Sequence, residues 1–199
     1  MMIKEYSELH SVPLKSGATF VRPIQVLPSH VKLSDPASSV MTDLTKVSVV
    51  NVRAKTTMDK ANAKMIRYGV RMLLVLDDNE QVVGLLTASD VLGEKPMRFL
   101  QSVGGTHAEI LVSDIMSSQS ELEVLKSDEV QKAAVGNIVV SLKKANRQHG
   151  LVVTEAADGR QSLCGLFSIT QIARQLGAQV HNFELARTFA EIEAAIPHA

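Results

Sequence analysis

The chain has one cysteine, no tryptophan and only 4% aromatic side chains, and its charges cancel. A single cysteine excludes a disulfide framework within the chain and every multi-cysteine metal site. The 21 basic and 21 acidic residues leave no net charge, which argues against a dedicated nucleic-acid binder. No run of 18 apolar residues occurs, and the opening MMIKEYSELH lacks the apolar stretch of a secretory signal. A soluble, cytoplasmic protein without membrane contact is therefore expected. There is no Gly-Lys-Ser/Thr phosphate loop, and the six histidines fall at no metal-ligand spacing, so neither nucleotide hydrolysis nor metal catalysis has visible machinery. The 45% of apolar residues is ample for a core, and 199 residues suit one large domain or two small ones.

Prolines 13, 23, 28 and 36 crowd the start of the chain. Proline removes a backbone donor and disfavours helix before it, so residues 1–38 read as an extended arm wrapping a core. Thr19-Phe20-Val21 and Ile24-Gln25-Val26 are expected to add edge strands. Beyond residue 39 the pattern changes. Val47–Val52 is β-branched and predicts a strand. Thr56 or Thr57 then opens a helix with Met58, Ala61, Met65 and Ile66 on its apolar side, ended by Gly69. Met72–Leu76 is a continuous apolar run, expected as a buried strand. Asp77–Glu80 is a polar turn, Val82–Leu86 a further strand, and Thr87 to about Leu100 a helix. Gln101–His107, with its paired glycines, reads as a linker.

The same order then recurs. Val40-Met41-Thr42 is echoed by Ile115-Met116-Ser117, and Gly84-Leu85-Leu86-Thr87 by Gly165-Leu166-Phe167-Ser168. Asp128 opens a helix carrying Val130, Ala134, Ile138, Leu142 and Ala145, and Leu151-Val152-Val153 matches the buried strand. The offset between copies grows from 75 at Met41 to 81 at Gly84. The added residues are assigned to a longer first helix and the turn after it. Residues 39–100 and 109–177 thus form two units joined by 101–108, and 178–199 hold a terminal helix striped by Leu185, Phe189, Ile192 and Ile196. Its stripe is expected to dock on its own chain.

Thr87-Ala88-Ser89-Asp90 and Ser168-Ile169-Thr170-Gln171 stand where a strand turns into a helix. Free N–H groups at a helix start attract an anion, a hydroxyl adds a donor, and a carboxylate one turn on accepts from a diol. Both segments also satisfy a capping box without any ligand. Cys164 lies in an apolar strand and reads as a small buried hydrophobe. His149, beside Arg147 and Lys143-Lys144, reads as a solvated helix end.

The repeated strand-helix-strand-strand-helix unit, each closing on Gly-hydrophobic-hydrophobic-Thr/Ser, resembles a tandem pair of CBS domains, the module named after cystathionine beta-synthase. VMTD, GVRMLLVLDDNEQVVGLLTASDV, SDIM, HGLVVTE and LCGLFSITQIARQLG carry the resemblance. It implies an α/β (α+β) fold of two β-α-β-β-α units about a pseudo-two-fold axis, and a regulatory module, not an enzyme. It also implies clefts for an adenosine compound, such as AMP, ADP, ATP or S-adenosylmethionine, with no cofactor required. Carried over, Thr87 donates to phosphate and Asp90 accepts from ribose hydroxyls; Ser168 supplies the second hydroxyl. Gln171 stands where the family has Asp, so one ligand per chain is expected. Val70, Arg71 and Met72, with Gly150, Leu151 and Val152, are strand-edge candidates for the adenine. The resemblance further implies a homodimer that signals to a regulated protein; the alternative is a ligand-free scaffold for dimerisation.

Overall fold

The structure is a computed structural model that describes residues 11–18, 24–178 and 185–195. In the first unit, β1 (Thr42–Asp43) and β2 (Asn51–Arg53) precede α1 (Met58–Tyr68), β3 (Met72–Leu76), β4 (Val82–Thr87), α2 (Ala88–Leu92) and α3 (Lys95–Val103). The second unit follows as α4 (Val112–Ile115), β5 (Ser117–Ser118), β6 (Val124–Lys126), α5 (Ser127–Val130), α6 (Val135–Lys144), β7 (His149–Glu155), β8 (Gln161–Ser168) and α7 (Ile169–Gln175), with α8 (Leu185–Ala195) last. This is the expected mixed α/β architecture with two four-stranded sheets, ordered β2-β3-β4-β5 and β1-β8-β7-β6.

The orders reveal an exchange. Each unit's opening strand sits in the other unit's sheet: β1 runs antiparallel to β8, and β5 antiparallel to β4. The segments just before these strands also cap the other unit's helix. The Met58 N–H donates to the Ile110 carbonyl at 2.8 Å, and the Val135 N–H to the Asp35 carbonyl at 2.8 Å. Neither unit therefore closes its core alone, in keeping with the marginal stability of so small a piece.

The exchange explains the two repeated glycines. A Cβ built on Gly84 would lie 2.7 Å from both the Met116 sulfur and the Ser117 carbonyl oxygen. The three nearest atoms to one on Gly165 all belong to the Met41 side chain, with the sulfur at 2.5 Å. A methionine can swing aside, whereas a strand carbonyl cannot move without its ladder. Gly84→Ala is therefore expected to cost about 2–3 kcal/mol, and Gly165→Ala about 1 kcal/mol, as for overpacking of a filled core. Urea unfolding of the two variants checks the order; equal losses would show that the Ser117 carbonyl yields freely.

The continuous run in β3 reflects burial on both faces, the side chains alternating between them. Leu73 and Val75 join Met58, Ala61, Met65 and Ile115 under the first unit's helices. Met72, Leu74 and Leu76 point the other way and meet Leu85 and Leu151 in a layer shared by the two sheets. The third cluster joins Ile138, Leu142, Val152, Phe167 and Ile172 with Phe189 and Ile192 of α8, so the described part of that stripe docks on its own chain. Leu185 and Ile196 of the stripe, and Thr19–Val21, lie outside the residues whose side chains are described.

Several expectations are corrected. The strand expected at Val47–Val52 is reduced to Asn51–Arg53, and Ile66 of α1 faces solvent at 74% exposure. The helix expected from Thr87 to Leu100 breaks at Gly93, which ends α2, and α3 restarts at Lys95 with Pro96 in its first turn, where a fixed φ is tolerated. That helix runs on through Val103, into the expected linker. The helix expected from Asp128 is two helices, because Ala37 N–H takes the Ala133 carbonyl and the arm's carbonyls take the Val135 and Gly136 N–H groups. Nor is the first helix of the second unit longer: α1 has 11 residues and α6 has 10. The offset is 73 from Val52 to Leu125, 77 from Met72 to His149 and 81 from Thr87 to Ser168. The segment holding α5 therefore adds four residues and the β7–β8 hairpin four more, while the loop before β6 is two shorter. Ile24–Val26 forms no strand. Instead the Gln25 side chain spans the free edge of β1, donating to the Met41 carbonyl at 2.9 Å and accepting from the Asp43 N–H at 2.7 Å.

Candidate functional site

Where β4 turns into α2, Thr87 closes a capping box. The Asp90 Oδ2 accepts from the Thr87 N–H at 2.8 Å and from the Thr87 hydroxyl at 2.7 Å, and the Asp90 N–H donates to Thr87 Oγ1 at 3.3 Å. The other carboxylate oxygen, Oδ1, meets Lys95 Nζ at 2.7 Å, and that ammonium also donates to the Ile115 carbonyl at 3.0 Å. Asp90 is 9% exposed, one of three buried polar residues among those described. Its burial is tolerable because each oxygen has a charge-assisted partner.

Above this corner opens a cleft of about 310 Å³, near the lower end of the range for small-molecule sites. The first unit lends it Leu85, Thr87, Ser89 and Asp90. The second lends Ser117 and Glu121–Glu123 from its opening segment, and Asn146–His149 with Leu151 from the entry to β7. The Ser89 hydroxyl reaches Gln148 Oε1 across the cleft at 3.2 Å. Arg147 is pinned on the far wall, donating to the Glu121 carbonyl at 3.0 Å and pairing with the Glu123 carboxylate at 3.3 Å.

His149 is the residue the sequence reading missed. It is not a solvated helix end but the first residue of β7, paired with Ser168 in the ladder. Its Nδ1 is buried and has no hydrogen-bond partner. Burial, reinforced by the nearby Arg71 charge, pushes its pKa down to about 4, against a smaller opposing pull from Asp90. The ring is therefore neutral at physiological pH. In the repeat it corresponds to Met72, at the inward-facing start of a buried strand, and that position was the available signal.

The other sequence candidates separate. Leu151 joins Thr87 and Asp90 in the cleft, whereas Gly150 and Val152 do not line it: Val152 belongs to the second core, and a Cβ on Gly150 would meet Leu142 at 3.1 Å. Val70 packs against the first core and Met72 enters the layer between sheets. Arg71 is half-buried beside Arg174, and both burial and that second charge lower its pKa. Ser168 and Gln171 are not among the residues lining this cleft. Their expected capping box does not form: Ser168 makes no side-chain cap bond, and the Gln171 amide donates along the helix to Gln175 Oε1 at 3.3 Å. Gln175 in turn donates to the Pro28 carbonyl at 2.6 Å, so α7 is committed to holding the arm. Cys164 is half-buried, its thiol 3.6 Å from the Val152 carbonyl. Among the described residues no group of three His, Cys, Asp or Glu is placed to hold a metal ion, and no helix is long and apolar enough to cross a membrane.

Residues 37–96 match the family described as the CBS domain. No curated protein matches the chain. An uncharacterized conserved protein from Pyrococcus horikoshii shares the fold, with a TM-score of 0.53 and 20% identity over 76% of this chain and 99% of that one. CBSX2 in complex with AMP is similar at a TM-score of 0.49 and 23% identity, over 70% of this chain and 94% of that one. The CBS domain pair of MJ0100, in complex with 5′-methylthioadenosine and S-adenosyl-L-methionine, is similar at 0.49 and 13% identity, over 73% and 98%.

Proposed function

We propose that this chain, a tandem pair of CBS units, is a regulatory module that binds an adenosine compound in the cleft between Asp90 and His149 and passes the bound state to a partner protein. The observation that carries the reading is the cleft itself, walled by both units over the Thr87–Asp90 corner. Thr87 and Asp90 stand at the corner where a ribose would sit, and Leu85 and Leu151 offer apolar surface to a base. The cleft is built from both units, so a ligand there bridges them and biases their relative placement, which is what a sensor needs.

The second site is proposed to stay empty, giving one ligand per chain. Its Gln171 offers only a neutral amide, already turned to Gln175. A homodimer through helix surfaces belongs to the same reading and is supported by exposed Ile66 on α1, Leu92 on α2 and Val140 on α6. Titration calorimetry with adenosine, followed by light scattering of the same sample, tests both parts. A stoichiometry near one and a mass about twice 21.6 kDa are expected. Absence of any heat or thermal shift with adenosine compounds would leave the ligand-free scaffold as the function.

A further inference from the structure

Resting on that reading, we infer that the cleft selects an adenosine compound whose 5′ substituent is neutral or cationic, and discriminates against nucleoside polyphosphates. Most of the donors that would receive a phosphate at this corner are already engaged, the Thr87 hydroxyl among them. The Thr87 hydroxyl gives its proton to Asp90 Oδ2, while the Thr87, Ala88 and Asp90 N–H groups go to Asp90, the Arg71 carbonyl and Thr87 Oγ1. Helix α2 has only five residues and supplies little dipole of its own.

The charges around the cleft point the same way. Its lining holds three carboxylates, Asp90, Glu121 and Glu123, against one guanidinium, Arg147. Arg147 is spent on Glu123 and the Glu121 carbonyl, and Lys95, behind Asp90, on the Asp90 carboxylate and the Ile115 carbonyl. The Ser118 hydroxyl and N–H both donate to Glu121, which holds its carboxyl below the usual range and keeps it anionic. Neutral His149 contributes no positive charge, and Arg71 lies outside the lining. Paired in this way Asp90 and Glu123 are neutralised, and among the described residues Glu121 is the carboxylate of the lining without an ion-pair partner. A triphosphate would meet that charge and would have to draw Arg147 away from Glu123 to find a cation, whereas a thioether or sulfonium at the 5′ position needs neither.

The test is a calorimetric panel on the full chain with 5′-methylthioadenosine, S-adenosylmethionine, AMP and ATP, at low and high salt. The neutral and sulfonium ligands are expected to bind at least tenfold more tightly than ATP at low salt. Raising the salt is expected to narrow that gap, because screening weakens repulsion at an open cleft. In a Glu121→Gln/Glu123→Gln variant the ratio of ATP to 5′-methylthioadenosine affinity is expected to rise several-fold. Tighter binding of AMP or ATP than of the neutral ligand would overturn the charge selection while leaving the adenosine reading intact. A panel in which no member binds would overturn the adenosine reading, and the selection with it.

Discussion

Asp90→Ala is expected to lower the stability of the fold by about 2–3 kcal/mol, well beyond the roughly 1 kcal/mol of an ordinary helix cap. The carboxylate accepts from the Thr87 N–H and hydroxyl through one oxygen and pairs with Lys95 through the other, at 9% exposure. Alanine strands all three donors at once. Lys95 is 44% exposed and can turn to water, which keeps the loss below that of a fully buried pair. Asp90→Asn keeps the shape and one acceptor oxygen, and about half of the loss is expected to return. Urea unfolding of the two variants measures this. A loss under about 1 kcal/mol for alanine would show that the Lys95 pair contributes nothing and that a solitary cap describes Asp90 sufficiently. The asparagine variant, with its fold preserved, is also the one in which a ribose contact is best assessed.

The second large effect is on pH. The His149 pKa is about 4 in the folded chain, against about 6.5 for an unperturbed imidazole in the unfolded one. Between those values the unfolded chain holds the extra proton, so stability rises with pH across the window. The full contribution is present above about pH 6.5 and is lost as pH falls towards 4. At 1.36 kcal/mol per pKa unit the loss amounts to about 3 kcal/mol. A His149→Met variant, which places the first unit's own residue at the equivalent position, is expected to flatten the pH dependence of unfolding between pH 6.5 and 4. The difference between parent and variant isolates the histidine from Asp43, Glu109, Glu121 and Asp158. Those carboxyls, held below their usual range, lose their contributions at lower pH. Identical pH profiles for parent and variant would show that the ring is hydrated in solution.

The repeat, the buried β3 strand and the Thr87–Asp90 corner were legible because each rests on local chemistry. A strand covered on both faces must be apolar at every position, and Met72–Leu76 is. A helix needs its first N–H groups capped, and Thr87 with Asp90 fits that need at a spacing of three. Gly69 marked the end of α1 because only a residue tolerant of a φ of 64° closes the turn there. Even the methionines and glycines of the two copies were visible as matched pairs.

What the pairs do was not visible, since Met116 covers Gly84 and Met41 covers Gly165 across a strand exchange between units. Which sheet a two-residue strand joins is set by whichever edge is open and by what packs behind it, and neither is encoded near that strand. The same limit hid Lys95 and His149. Lys95 follows Asp90 by five residues, but only the break at Gly93 turns α3 so that its ammonium returns to the carboxylate. His149 ends a basic stretch that looks solvated, and only its pairing with Ser168 draws the ring into the cleft beside Asp90. Local rules thus determined the elements and the cap. The cleft's charge and its unpartnered nitrogen were decided by tertiary packing, because Coulomb and desolvation energies depend on distances through space that chain separation does not contain.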